Sequence, residues 1–192
     1  MHTVKNNLWS TPVWEIDTGF DVFFNNSLKE EISFIIENKL DPMIFNHDLE
    51  HIKKLKDKII ESIEVFRKEI FPDNNFKFAI TKSYATYQEP NQILPLHTHG
   101  GTFLVANYYV QCFEKSGDLL LVDPRGGVNW DTIYQNSTVD IMENSNVKYH
   151  RIKPSDGKLV IFPGYVMHMT EPNKTMFSRI SIPVNFAKAK LE

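Results

Sequence analysis

The chain has 192 residues, 21 of them basic and 24 acidic, with a formal net charge of −3. That balance gives no long-range pull toward nucleic acid or anionic lipid, which argues against both as partners. A hydrophobic content of 42%, including 14 Phe and 7 Tyr, is enough for the core of one domain over residues 1–192.

The opening "MHTVKNNLWSTPVWEIDTGF" has no apolar stretch followed by a small-residue cleavage site. No apolar run approaches the ~18 residues that a membrane span needs. With Cys112 as the single cysteine, an internal disulfide is excluded and a reducing compartment is expected. The expectation is a soluble, cytoplasmic protein. Association into a homodimer is compatible with the sequence.

Two amphipathic helices come next. Over residues 28–40, Leu28, Ile32, Ile35, Ile36 and Leu40 fall on one helical stripe, and Ser27 with Glu30 forms a capping box at its start. Residues 48–70 repeat the period through Leu49, Ile52, Leu55, Ile59, Ile63 and Phe66 before "FPDNN" ends the pattern. From about residue 76 the period becomes two. Strand-like runs at 77–88, 103–112, 118–123, 147–152, 158–162, 165–170 and 177–186 alternate with Gly, Pro and Asn turns. Helices followed by many short strands predict a mainly β fold, an antiparallel sandwich or barrel of jelly-roll type with both helices packed on one sheet. The helical support covers about 20–72 and the β core about 76–187.

Alternation then sorts the faces. In "FSRISIPVNF", Ile180, Ile182, Val184 and Phe186 point one way, and Arg179, Ser181 and Asn185 the other. The strand over 103–111 splits into Asn107, Tyr109 and Gln111 against Leu104, Ala106, Tyr108 and Val110. Alternation alone leaves open whether the polar set lines a cavity or faces solvent.

The histidines weigh on that choice. In "ILPLHTHGG", His97 and His99 are two residues apart, so a strand-like backbone points them the same way. In "GKLVIFPGYVMHMTEP", His168 interrupts an apolar strand. Two ligands on one face and a third from a distant strand have the layout of a facial metal site, and imidazole suits Fe, Zn, Cu or Ni. Arg179 follows eleven residues after His168, with Ser181 on its face. A guanidinium beside a hydroxyl is a receptor for a carboxylate.

"HTH", "NYYVQ", "GDLLLVDPR", "GKLVIFPGYVMH" and "RISIPVNF", in that order, resemble the 2-oxoglutarate- and Fe(II)-dependent oxygenases of prolyl-hydroxylase-like type. The likeness is strongest to a microbial and phage subgroup and spans about residues 76–187. It implies a double-stranded β-helix, or cupin-like jelly roll, with iron at one mouth. It also implies a dioxygenase that takes O2 and 2-oxoglutarate, releases succinate and CO2, and hydroxylates a substrate. The matching positions are His97 and His168 for iron, and Arg179 with Ser181 for the far carboxylate of the cosubstrate. Tyr87 and Tyr109 match cosubstrate-contacting positions, and either also reads as core packing; Asn107 shares the Tyr109 face. Arg125, in "DPR", reads as a turn residue or as a contact to an acidic substrate group.

His99 departs from the pattern, because the superfamily carries Asp or Glu there. The shared strand face favours His99 as a third iron ligand, though a water or another group in that position, or altered activity, is also open. His2, His47, His51 and His150 have no partner spacing and read as surface residues, and Cys112 reads as packed rather than reactive. Two competing functions stand beside the oxygenase. One is a cupin-like metal enzyme that does not use 2-oxoglutarate, and the other is a non-catalytic binding jelly roll.

Overall fold

A computed structural model describes residues 10–72, 76–124 and 149–190. Trp14–Asp17 (β1) opens it as an edge strand along the much later Lys158–Pro163 (β7), with Trp14 opposite Ile161. Trp14 and Ile16 alternate with the exposed Glu15 and Asp17, but four residues are too short a run to mark a strand alone, so the distant ladder partner defines it.

Helix α1 runs Val22–Glu37, beginning six residues before the predicted start at Leu28. Asp21 caps it, its Oδ1 accepting from Phe24 N at 2.9 Å, which satisfies one of the otherwise unpaired first-turn donors. The predicted Ser27–Glu30 box therefore lies inside the helix. Leu28, Ile32 and Ile35 are buried as expected, but Ile36 faces outward and Leu40 lies past the helix end.

A short turn, Ile44–Asn46, leads to α2, Glu50–Ile70. Leu49 precedes α2 without a side-chain cap, and α1 supplies one instead. Glu31 accepts from His51 N at 3.0 Å and Ile52 N at 2.9 Å, and also holds the His51 ring through Nδ1 at 2.8 Å. His51 is thus a half-buried capping partner rather than a surface residue. His47 bonds Asp41 O and His150 is exposed; His2 lies outside the described residues.

Eight further strands follow: Phe76–Ser83 (β2), Thr86–Gln88 (β3), Leu104–Gln111 (β4), Leu119–Val122 (β5), Tyr149–Ile152 (β6), then β7, His168–Thr170 (β8) and Arg179–Lys190 (β9). Six of the nine form one antiparallel sheet in the order β1-β7-β4-β9-β2, with β3 also on β9; the other three form a second sheet, β6-β5-β8. The predicted strand runs match these elements to within a few residues. The run over 77–88 is split in two.

Two cores result. On the outer face of the large sheet, Leu104, Ala106, Tyr108 and Val110 of β4 and Ile180, Ile182, Val184 and Phe186 of β9 pack with the buried stripes of both helices. Between the sheets, Val105, Tyr109, Leu119, Leu121, Val160 and Phe162 form a smaller core. The predicted alternation holds along β9. Along β4 it holds as far as Val110; a register shift between Tyr109 and Gln111 then sets Gln111 opposite Ile180, and Gln111 accepts from Lys29 of α1 at 2.9 Å. Among the described residues no helix is long and apolar enough to cross a membrane.

Candidate functional site

The smaller core is incomplete at one end, and the gap is a cavity of about 170 Å³ between the sheets. His97, His99 and His168 line it, together with Asn107, Tyr109, Arg179 and Ser181.

Backbone pairing brings the histidines together. His97 and His168 form an isolated antiparallel bridge, exchanging N–H to carbonyl bonds of 3.0 and 2.9 Å. His99 N donates to Gly164 O at 3.1 Å, anchoring the third imidazole beside the end of β7. A Cβ on Gly164 would collide with the Thr102 carbonyl, so this close approach requires glycine. One ring nitrogen from each histidine lies within 4.8 Å of the other two, and Nε2 of His99 is 3.2 Å from Nε2 of His168.

The chemistry of these donors fits a divalent metal. Nδ1 of His97 faces Pro95 O at 2.7 Å and Nδ1 of His168 faces Val166 O at 2.9 Å. A carbonyl only accepts, so each Nδ1 carries the proton and each Nε2 keeps a lone pair. Burial pushes the His168 imidazole down to about 4, and burial followed by the neighbouring His97 lowers His99. His168 is therefore neutral near pH 7, as a ligand must be. Metal–nitrogen bonds of about 2.1 Å at a right angle place two nitrogens about 3 Å apart, close to the His99–His168 separation.

At the other end of the cavity Arg179 is 2% exposed, and its Nη1 donates to Gly117 O at 2.6 Å. Its Nε has no hydrogen-bond partner, and among the described residues no salt bridge includes it. The Tyr109 ring lies 5.6 Å from its Cζ, and the Tyr109 hydroxyl is also buried without a partner. Burial pushes that phenol up to about 12, so it stays a donor. A buried cation without a counter-charge and a buried hydroxyl, each with a donor left unpaired and side by side, describe a receptor for an anion. Gly117 allows the approach: its φ is +93° and a Cβ there would strike Glu171 O.

Tyr87 is not brought to the cavity. It pairs with Ile180 and packs on the helix side. Its neighbour Thr86, opposite Ser181, takes the cavity face instead. Reading β3 against the alternation of β9 rather than by distance from His97 would have found Thr86. Tyr84, Thr170 and Leu119 also line the cavity and carry no sequence signal of their own. Arg125 lies outside the described residues. Burial pushes the Cys112 thiol up to about 12, consistent with a packed, unreactive side chain.

Residues 82–185 match the family described as "Putative 2OG-Fe(II) oxygenase". No curated protein matches the sequence. The fold is similar to that of a prolyl-4-hydroxylase from Pseudomonas putida, at 14% identity and TM-score 0.63, covering 96% of this chain and 92% of that one. It is also similar to the viral collagen prolyl hydroxylase of Paramecium Bursaria Chlorella virus-1, at 14% identity and TM-score 0.61, covering 92% and 96%. HygX from Streptomyces hygroscopicus, solved with nickel and 2-oxoglutarate, gives 11% identity and TM-score 0.63 over 92% and 83%. With the matched segment spanning more than half of the sequence, the chain belongs to the family of 2OG-Fe(II) oxygenases, enzymes that work with iron and 2-oxoglutarate.

Proposed function

We infer that residues 1–192 form a single jelly-roll oxygenase of hydroxylase type, with Fe(II) held by His97, His99 and His168 at the mouth and the far carboxylate of 2-oxoglutarate held by Arg179 and Ser181. The single observation that carries this reading is the buried, partnerless Nε of Arg179 in the cavity that the three imidazoles share. A metal enzyme that ignored 2-oxoglutarate would leave that guanidinium without a counter-charge, a loss of several kcal/mol.

Iron with 2-oxoglutarate and O2 supplies the oxidising power that yields succinate and CO2 and inserts oxygen into a C–H bond. The protein's residues position and shield. The fixed fork of Arg179 orients one end of the cosubstrate, and the Tyr109 hydroxyl and Ser181 supply further donors beside it. Asn107, on the same strand face as Tyr109, adds an amide to the wall. Val105, Leu119 and Phe162 exclude water around it. The hydroxylated substrate is a protein residue such as proline, a free amino acid or a small metabolite. The likeness to two prolyl hydroxylases puts the first in front.

Anaerobic addition of Fe(II) and 2-oxoglutarate tests the reading through the weak visible band of the chelate, with direct cosubstrate affinity beside it. Arg179→Ala should weaken 2-oxoglutarate binding by ~2–5 kcal/mol, roughly 30- to several-thousand-fold, and leave metal affinity near wild type. Arg179→Lys should recover only part, because an ammonium lacks the planar fork. Equal 2-oxoglutarate affinity in wild type and Arg179→Ala would make the arginine structural and remove the main support.

A further inference from the structure

The three imidazoles are not held alike. His97 and His168 each donate Nδ1–H to the carbonyl two residues earlier, Pro95 O and Val166 O. Such an outward bond fixes which nitrogen carries the proton and where the ring points. Among the described residues no carbonyl does this for His99. Its backbone is anchored on Gly164, but its ring is fixed only from the cluster side, through Nε2 beside His168. A histidine that binds metal through Nε2 must carry its proton on Nδ1, and that N–H needs an acceptor in a half-buried position.

One acceptor is placed for it. Asn185 lies on β9, on the face that carries Arg179 and Ser181, and stands opposite Val105, which lines the cavity. It is 4% exposed, and its Oδ1 is buried without a hydrogen-bond partner. The amide lies beside the His99 ring, on the strand whose next residue, Phe186, accepts at its carbonyl from Phe103 N at 2.8 Å, just after the segment that carries His99. The contact is loose, since Oδ1 completes no close hydrogen bond in this structure. Thus a buried acceptor without a donor faces a ligand ring without an outward acceptor.

We propose that Asn185 is a positioning residue for the metal centre, its Oδ1 accepting the Nδ1–H of His99 and so holding the His99 Nε2 lone pair toward the site shared with His97 and His168. The proposal rests on the reading of the three histidines as iron ligands. It gives His99 a side-chain acceptor where the other two histidines use their own backbone. An acceptor on Nδ1–H also makes a neutral imidazole the stronger donor at Nε2. That matters at a site where all three ligands are uncharged.

Zn(II), a diamagnetic probe, tests this without turnover. Ring-nitrogen NMR of the full-length protein should show Zn(II) shifting Nε2 of all three histidines. Three ring N–H protons should be protected from solvent exchange. Asn185→Leu, similar in volume but without an acceptor, should lose protection of the His99 proton alone and weaken Zn(II) binding about 10- to 100-fold. Asn185→Asp should restore both, and circular dichroism confirms that each variant is folded. If Asn185→Leu keeps three protected protons and wild-type affinity, or if Asn185→Asp rescues neither, the assignment is overturned. If Zn(II) leaves the His97 and His168 rings of the wild type unshifted, the metal reading itself fails and the proposal falls with it.

Discussion

His99 sets the character of the site, because it stands where the superfamily carries a carboxylate. Its Nε2 lies 3.2 Å from that of His168, a spacing suited to two ligands of one ion. His99→Ala should therefore lower Fe(II) affinity, whereas His99→Asp should keep it and return the usual negative charge; isothermal titration with Fe(II) under nitrogen checks both. Unchanged affinity in His99→Ala would exclude His99 as a ligand. His168 carries a separate expectation for the metal-free protein. Its ordinary value is 6.5, and burial, helped by the facing His97 and His99 and opposed by the bond to Val166 O, pushes it down to about 4. Between those values the unfolded chain binds a proton that the folded chain does not, so stability falls as pH drops through this window. The loss reaches at most about 3 kcal/mol near pH 4, and above 6.5 the group contributes no slope. Urea unfolding of wild type and His168→Gln across pH 4–7 checks it, and a pH slope left unchanged by the substitution would refute it.

At the scale of elements, the site depends on how strand ends are tied. The turn between β7 and β8 holds His99 through Gly164 O, and Gly164 packs against the Thr102 carbonyl too closely for any Cβ. Gly164→Ala should push residues 99–102 away from β7 and separate His99 from His168. The expected outcome is a folded protein whose metal affinity drops roughly tenfold or more, since outer-contact changes at metal sites commonly cost 10–100-fold. Metal titration beside a thermal melt separates this from general instability. Strand register likewise decides that β3 exposes Thr86 rather than Tyr87 to the cavity. Its register on β9 pairs Tyr87 with Ile180, whose side chain is committed to the helical core.

Across the whole molecule, the large sheet separates two cores with different duties. The outer one joins both helices to β4 and β9 and carries most of the buried apolar side chains. The inner one is small and borders the cavity. Leu55→Ala, in the outer core, should cost about 2–5 kcal/mol of stability and leave 2-oxoglutarate affinity near wild type. Leu121→Ala removes apolar support directly across the ladder from His168 and should lower stability, metal affinity and 2-oxoglutarate affinity together. Denaturant midpoints and cosubstrate titrations on the two variants measure the division. Equal effects on cosubstrate binding would show that the cores are not separable.

Much of this was legible in the sequence because it depends on local period. Alternation placed Arg179, Ser181 and Asn185 on one face of β9 and its apolar residues on the other, and two-residue spacing put His97 and His99 side by side. Helical period identified every buried apolar residue of α2, missing only the buried Ser62. What failed locally failed for tertiary reasons. The start of α1 follows from Asp21, but its exposed Ile36 shows that a stripe is buried only where a partner surface reaches, and Leu40 falls beyond the helix end. Strand β1 exists because β7, far along the chain, offers it a ladder. The convergence of His168 on His97 and His99, and the burial of Arg179 without a counter-charge, required the second sheet to close over the first. Periodicity reports which side chains share a face, because backbone geometry fixes that within a few residues. Which faces meet, and which polar atoms are left there without partners, is set by contacts between residues far apart in sequence.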